Sequence, residues 1–221
     1  MERYICCSAP EQSSLTESTL MHRIAVLVAS TRTNRFADHP LAWVLPKLDD
    51  FKVDLIDLRD VTLPFYDLPT PPAMAFRQYS SDVERDLGER LEAADGFLVI
   101  TNEFNHGYSA ALKNVLDHYF IELSHKPIAF VGYGNAGGSR AIEQLRQVVI
   151  ELDMVPIKYS VNIMGPQYFA AREGAPVDEA FAPLETPLAR LLDSLTWWAD
   201  ATTAATTMAR QQVRGVASTH Q

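Results

Sequence analysis

Three stretches of polar residues and glycines carry the groups that could do chemistry in this chain. They comprise residues 30–36, 102–108 and 132–138, and each follows a short apolar run and precedes a segment with helical spacing. Apolar runs of this length are typical of strands buried on both faces, as in a parallel sheet. Ligands of open α/β sheets bind outside the carboxyl ends of such strands. The sequence therefore predicts that these three loops form a ligand site.

The first loop has the chemistry of an anion site. Its small polar side chains are joined by the guanidiniums of Arg32 and Arg35, and it leads into a helix whose exposed N–H groups and dipole attract phosphate. A solvated turn with capping hydroxyls explains the same residues, because the loop has neither a P-loop lysine nor a GxGxxG pattern. On loop chemistry alone, both interpretations stay open.

The third loop is rich in glycine, which permits close approach of the backbone to a ligand. Its glycines are Gly132, Gly134, Gly137 and Gly138. A single glycine-rich turn is a weak signal, and its position between a strand and a helix strengthens it. In the second loop, His106 could touch a bound ligand, or be polar lining only. His118 lies on the side of the next helix that is opposite its apolar face. This position predicts a surface or subunit-contact role.

The elements that position these loops are five strands alternating with helices. The strands are predicted at residues 24–29, 53–58, 97–101 and 127–131, and from residue 155. This alternation indicates an α/β fold with a parallel sheet and helices on both faces. The order 2-1-3-4-5 would make the three loop-bearing strands neighbours. Alternating apolar and acidic residues favour an edge position for the second strand, and Asp57 at its end is interpreted as a solvated turn residue.

Two long segments are predicted to be loops. Residues 61–78 contain four prolines, which argue against a helix or a central strand, and residues 164–183 contain several glycines and prolines. The aromatic side chains of the first segment could cover a planar ligand, but we favour packing that holds the loop down. They are Phe65, Tyr66 and Phe76. We expect a disordered tail over residues 1–21, one domain over 22–202, and a C-terminal tail over 203–221.

Composition limits the partners. The chain has 19 Lys and Arg against 28 Asp and Glu, a net charge of −9, which would be repelled by the phosphates of a nucleic acid. No apolar run approaches the roughly 18 residues of a membrane span, and the first twenty residues do not have the pattern of a secretion signal. We therefore expect a cytoplasmic protein with no nucleic-acid or membrane partner. Adjacent Cys6 and Cys7 cannot form a disulfide framework.

The residues of the three loops, taken together, resemble one family. They read STRTNRF at 30–36, NEFN at 102–105 followed by ALKN at 111–114, and GYGNAGG at 132–138 followed by EQLR at 143–146. Over roughly residues 23–161 the chain is similar to NAD(P)H-dependent FMN reductases. The resemblance implies a flavodoxin-like three-layer sandwich with a five-stranded parallel sheet. It also implies FMN as cofactor and NADPH or NADH as reductant.

The resemblance also implies roles for particular residues. It places Ser30, Arg32 and Arg35 on the FMN phosphate, with Asn34 and Phe36 beside them. It places Glu103, Phe104 and Asn105 against the isoalloxazine ring, with Asn102 among the cofactor-binding residues just before them, and it places Gly132, Tyr133, Gly134, Gly137 and Gly138 over the ring edge. His106 and Tyr108 would adjoin the substrate. The chain departs from the family in having Asn102 for the usual Pro, Phe104 for Tyr, and Ala29 for Gly.

The implied reaction is a ping-pong transfer of hydride from NAD(P)H to bound FMN, and then of electrons to a quinone, a flavin or a similar small acceptor. Since this chemistry belongs to the cofactor, we assign no catalytic acid, base or metal ligand. The resemblance further implies a homodimer or a tetramer. Two alternatives stay open: a flavodoxin-like electron carrier or interaction protein without NAD(P)H turnover, and a nucleotide- or phosphate-binding regulatory domain without flavin.

Overall fold

The computed structural model describes residues 21–218. The strands are β1 (Arg23–Val28), β2 (Lys52–Asp57), β3 (Gly96–Asn102), β4 (Pro127–Tyr133) and β5 (Val155–Ile163). The α-helices are α1 (Asp38–Val44), α2 (Pro72–Ala75), α3 (Asp82–Ala93), α4 (Ala110–His118), α5 (Ser139–Glu151), α6 (Gly165–Arg172), α7 (Val177–Ala180) and α8 (Glu185–Ser218). Short 3₁₀ turns span Leu45–Lys47 and Ala182–Leu184. Except for Met21, the predicted N-terminal tail lies outside the described residues.

The sheet has the order β2-β1-β3-β4-β5, and every neighbouring pair of strands is parallel. Beyond the end of β1, the Ala29 N–H donates to the carbonyl of Ile100 at 3.0 Å. At the end of β3, Asn102 is in register with Tyr133 of β4. The carboxyl ends of parallel strands meet at one edge, so the three predicted loops leave the sheet side by side. The predicted fold class and strand order are confirmed.

Helices cover both faces of the sheet. One apolar core lies between the sheet and α1, α6, α7 and α8, and the other lies between the sheet and α3, α4 and α5. Every residue of β3 and β4 is buried, which is why their sequences are continuous apolar runs. The edge strand β2 is half exposed, as its alternating sequence predicted.

Ser109 connects the start of α4 to the sheet. Its hydroxyl accepts a hydrogen bond from the Leu112 N–H at 3.2 Å, which confirms the predicted N-cap, and donates to the Ala29 carbonyl at 2.7 Å. The side chain is buried. The second loop is therefore tied at its far end to the end of β1.

Both segments that were predicted to be loops contain helices. Pro72 and Pro166 lie in the first turns of α2 and α6, where a missing N–H breaks no intrahelical hydrogen bond. Helix α8 continues to Ser218, far beyond the predicted start of a tail at 203, although its side chains from 204 to 209 are exposed. Neither α8 nor any other helix among the described residues is long and apolar enough to cross a membrane.

The three aromatic residues of the proline-rich segment differ in whether they pack against α4. Phe65 and Phe76 are 81% and 73% exposed, so the expectation that they pack the loop down is wrong. Tyr66 does pack, edge-on against His118 with ring centroids 5.2 Å apart. The His118 side chain is only 2% exposed, and its predicted surface role is wrong for this chain, because the segment lies over it.

Asn114 of α4 anchors the same segment. Its Oδ1 accepts from the Tyr66 N–H at 3.1 Å, and its Nδ2 donates to the Pro64 carbonyl at 2.8 Å. Replacing Asn114 by Ala leaves both backbone groups without this partner. We expect about 0.5–1.5 kcal/mol lower stability in urea unfolding, because water can reach these groups, and faster cleavage within residues 61–78 in limited proteolysis. Asn114→Asp keeps only the acceptor and should be intermediate; equal cleavage of all three proteins would contradict the anchoring role.

Candidate functional site

A cavity of about 510 Å³ lies at the carboxyl ends of β1, β3 and β4. This volume is within the range of small-molecule sites, roughly 300–1,000 Å³. Twelve of the predicted site residues line it: Ser30, Arg32, Asn34, Arg35, Phe36, Asn102, Glu103, Phe104, Asn105, His106, Tyr133 and Gly134. The parallel sheet thus brings all three predicted loops to one cavity.

Four predicted site residues do not line the cavity: Gly132, Gly137, Gly138 and Tyr108. Tyr108 packs instead against the core under α3, α4 and α5, and burial raises the pKa of its hydroxyl. A Cβ on Gly138 would lie 2.8 Å from the Cα of Gly132, and the φ of Gly138 is +72°. Glycine is needed here because the third loop folds back on itself. These glycines shape the loop, and Gly134 is the one that reaches the cavity.

Asn135 of the third predicted loop also lines the cavity, as do four residues that the sequence did not indicate: His39, Arg140, Tyr168 and Arg172. Tyr168 and Arg172 belong to α6, which was predicted to be loop. The Tyr168 ring lies 4.2 Å from that of Phe36 in the first loop, and its hydroxyl accepts from Arg172 at 3.1 Å. For this side of the cavity, the only signal in the sequence was the pair Gly165-Pro166, at which α6 begins.

Arg35 is buried behind the first loop and has several partners. Its guanidinium donates to the two carboxylate oxygens of Asp57 at 2.7 and 2.6 Å, and to the Ser30 carbonyl at 2.6 Å. Its Nε donates to Asp38 at 2.8 Å. The Arg35 side chain is fully buried and that of Asp57 is only 12% exposed. Asp57 is therefore not the solvated turn residue that the sequence suggested, because it pairs with Arg35 across the end of the sheet.

The electrostatics of this pair favour its charged form. Burial would raise the pKa of Asp57, but hydrogen bonds from Arg35 and Arg59 outweigh burial and keep that pKa well below its usual range. Burial likewise lowers the pKa of Arg35, and hydrogen bonds to Asp57 and Asp38 more than reverse this. Both groups are thus charged at neutral pH. The pair holds the Ser30 carbonyl and fixes the start of the first loop.

Arg32 supplies a cation to the cavity that has no carboxylate partner in the described part of the chain. Its guanidinium carbon lies 5.8 Å from the centroid of the Phe104 ring, which belongs to the second loop and is 38% exposed. A guanidinium binds phosphate well, and an exposed aromatic face packs against a flat ring. This end of the cavity therefore suits a ligand that has both.

The second loop is a tight turn with two left-handed residues. Phe104 and Gly107 exchange backbone hydrogen bonds of 2.7 and 2.9 Å. Between them, Asn105 and His106 have φ values of +50° and +69°, a left-handed conformation that is uncommon outside glycine and that Asn and His adopt more readily than other residues. Such a turn persists when its surroundings impose it, so contacts from other elements must fix its shape.

Arg140 at the start of α5 provides those contacts. Its Nε donates to a carboxylate oxygen of Glu103 at 2.6 Å, and its Nη1 contacts Nε2 of His106 at 2.8 Å. Because a guanidinium only donates, the imidazole accepts through Nε2. Gln144 adds a hydrogen bond to the His106 carbonyl at 2.9 Å. The second loop is thus clamped onto α5, the helix that follows the third loop.

The wall of the cavity nearest the sheet carries buried polar groups. Asn102 and Tyr133 are 3% and 5% exposed. Among the residues that the structure describes, neither amide atom of Asn102 nor the Tyr133 hydroxyl has a hydrogen-bond partner. Burial raises the pKa of Tyr133 to about 12, although a weak hydrogen-bonding interaction with the Ser30 hydroxyl, too poor in geometry to satisfy the phenol, and the charge of Arg35 act in the opposite direction. Unpaired buried polar groups are rare and point to a ligand or water.

A parallel sheet of order 2-1-3-4-5, with an anion-binding loop after β1 and aromatic and glycine loops after β3 and β4, is typical of flavodoxin-like FMN-binding proteins. The cavity residues fit such a cofactor, with a cation at one end, an aromatic face and buried hydrogen-bonding groups. A family model described as NADPH-dependent FMN reductase matches residues 22–167. The chain belongs to this family, and FMN is its cofactor.

Individual relatives agree with this assignment. An NAD(P)H-dependent FMN reductase of Schizosaccharomyces pombe is 35% identical over 135 residues, which are 60% of this chain and 68% of the relative. A 2-hydroxy-1,4-benzoquinone reductase of a Burkholderia species is 33% identical, over 60% of this chain and 73% of its own. The flavoenzyme NAD(P)H:(acceptor) oxidoreductase of Paracoccus denitrificans has the same fold, with a TM-score of 0.61 at 23% identity, covering 83% and 98% of the two chains. The predicted FMN-dependent NAD(P)H oxidoreductase is confirmed.

Asp57→Asn tests the buried ion pair. The pKa of Asp57 is lower in the folded than in the unfolded protein, so its contribution to stability is complete above about pH 5 and is lost as the pH falls further. We expect the variant to be about 3 kcal/mol less stable at pH 7 and to lose less stability than wild type on acidification. Urea unfolding between pH 7 and pH 3 measures both effects. Asp49→Asn, at an exposed position, is the control. If the free energy of unfolding of Asp57→Asn fell as steeply on acidification as that of wild type, the role of the ion pair would be contradicted.

Proposed function

We propose that this protein is a cytoplasmic reductase that passes electrons from NAD(P)H through bound FMN to a quinone or a similar small acceptor, in a ping-pong reaction. The observation that carries the proposal is the convergence of three chemically different loops on one cavity. FMN supplies the hydride chemistry when bound. The protein binds the cofactor, orients it and shapes the space in which the nicotinamide and the acceptor bind in turn.

The first loop would hold the phosphate of the cofactor. Arg32 offers the uncommitted guanidinium, and Ser30 offers its hydroxyl from a backbone position that Arg35 fixes. The second loop would lie against the flat ring through Phe104 and the backbone of the turn at 103–105. Gly134 would approach the ring edge from the third loop. Each of these residues lines the cavity, and the resemblance of the loops to the family supports the same roles.

A quinone is the acceptor class that the relatives favour. Besides the Burkholderia enzyme, a quinone reductase of Escherichia coli is 28% identical over 139 residues. A quinone is flat and uncharged, like the nicotinamide ring, so one cavity can take the two in alternation. His106 borders this space, but its Nε2 already accepts from Arg140. We therefore assign His106 to the polar lining and not to proton transfer.

The reaction is tested by following the visible absorbance of the FMN-loaded protein without oxygen while NADPH and, separately, NADH are added. We expect rapid bleaching by at least one nucleotide, and return of the absorbance when a benzoquinone is added. Parallel lines in double-reciprocal plots of initial rates would support the ping-pong order. Dithionite is the control, because it reduces bound flavin without needing a nucleotide site and so shows whether the flavin can be reduced at all.

The alternatives give different results in the same experiment. Flavin that is retained and reduced by dithionite, but by neither nucleotide, would indicate an electron carrier. Failure to retain FMN would indicate a phosphate-binding domain without flavin. Fractionation of cells that produce the protein checks the cytoplasmic location separately.

We also propose a homodimer or tetramer. The family resemblance supports it, and so do three exposed apolar side chains on one segment, Phe65, Met74 and Phe76, at 81%, 66% and 73% exposure. Sedimentation velocity should give a multiple of the 24.7 kDa chain mass, and Phe65→Ser with Met74→Ser should shift the equilibrium toward monomer. Trp197→Ser, at another exposed position, is the matched control; a monomeric wild type at all concentrations would contradict the proposal.

A further inference from the structure

Three polar side chains form a row across the carboxyl edge of the sheet. Side chains of a strand alternate between its faces, so Asn102 lies on the same face as Leu98 and Ile100, which belong to the core under α1 and α8. Tyr133 belongs to that same core. Ser30 extends the corresponding series beyond the end of β1. All three are at most 5% exposed, and all three line the cavity.

Two members of this row have unsatisfied hydrogen-bonding groups. Among the described residues, Oδ1 and Nδ2 of Asn102 have no hydrogen-bond partner, and the hydroxyl of Tyr133 makes no hydrogen bond of good geometry, although the Ser30 hydroxyl is close enough to lower its pKa. Asn102 and Tyr133 are in register on neighbouring strands. Elsewhere in the described part of the chain, no buried side-chain nitrogen or oxygen lacks a partner. The hydroxyl of Tyr119, which is 1% exposed, donates to the Glu84 carbonyl at 2.8 Å. The unsatisfied groups are thus concentrated at the wall of the cavity.

The position of the two residues relates them to one part of the cofactor. β1 leads into the loop that would take the phosphate, while Asn102 and Tyr133 are the last residues of β3 and β4, where the loops that would take the ring begin. A flavin that extends from the first loop to the second and third must cross the ends of β1, β3 and β4. The part of FMN between phosphate and ring is the ribityl chain, a neutral polyol.

We propose that Asn102 and Tyr133 bind the ribityl hydroxyls of the flavin, and that this interaction is a property of this chain. The inference rests on the proposed function and specifies it further. Polyol hydroxyls donate and accept, which matches an amide and a phenol. A proline at this position, which the family resemblance leads one to expect, could make no such bond through its side chain. Since the atoms are covered here, the amide must turn toward the cavity, a side-chain change common on binding.

The proposal has a consequence for stability. A buried polar atom without a partner destabilises the folded protein, whereas an apolar replacement of the same shape does not. Asn102→Leu and Tyr133→Phe should therefore leave the flavin-free protein at least as stable as wild type, with a melting temperature higher by about 2–4 °C. Tyr119→Phe removes a hydroxyl that is hydrogen-bonded in the protein, so it should lower the melting temperature.

The binding test compares three flavins by quenching of their fluorescence: FMN, riboflavin without the phosphate, and lumiflavin without the ribityl chain. Asn102→Leu and Tyr133→Phe should each weaken FMN and riboflavin by roughly 3- to 10-fold and leave lumiflavin unchanged. Arg32→Ala should weaken FMN alone, and Tyr119→Phe should change none of them. This pattern would place the two residues on the ribityl chain.

Other results overturn the proposal. Equal weakening of lumiflavin would place the residues on the ring, and unchanged binding of riboflavin would remove them from the flavin altogether. A melting temperature of Tyr133→Phe that falls as much as that of Tyr119→Phe would show a structural role for the hydroxyl. If wild type binds FMN but the variants show none of the expected losses, only this inference fails. If wild type binds no flavin, the proposed function fails with it.

Discussion

The parallel register of β1, β3 and β4 is the constraint on which the site depends. Parallel strands put all their carboxyl ends at one edge, so three loops separated by up to about a hundred residues in sequence border one cavity. The register also aligns Asn102 with Tyr133. Any slip by one residue would turn the polar row toward the opposite core. Because every residue of β3 and β4 is buried, a change of register would disrupt the packing on both faces of the sheet.

Around the cavity, charged residues are divided between supporting the loops and facing a ligand. The guanidinium of Arg35 donates hydrogen bonds to Asp57, Asp38 and the Ser30 carbonyl. The guanidinium of Arg140 donates to Glu103 and His106. Both guanidiniums fix backbone that would otherwise be mobile loop. Arg32 differs from both, because it has no carboxylate partner among the described residues and lies instead near the Phe104 ring. An anion can therefore be bound by Arg32 without loss of an ion pair within the protein.

The unsatisfied polar groups beside the sheet fit the same division. A site shaped before the cofactor arrives must contain hydrogen-bonding groups that only the cofactor satisfies, and such groups lower the stability of the free protein. Asn102 and Tyr133 have this property, whereas Tyr119 and Ser109, equally buried but away from the ligand space, are fully bonded. Binding and folding stability are thus coupled at these two positions.

The sequence by itself determined the five strands, the three loops and the resemblance to the family, which implied the strand order, because buried parallel strands and loop chemistry leave local signals in apolar runs, glycines and paired guanidiniums. It also determined twelve residues of the cavity. Only the tertiary structure decided that Arg35 pairs with Asp57, that Arg140 clamps Glu103, and that α6 supplies Tyr168 and Arg172. These partners are tens of residues apart or lie in segments whose prolines suggested loops. Their pairing depends on which elements become neighbours in space, a property that no local pattern records.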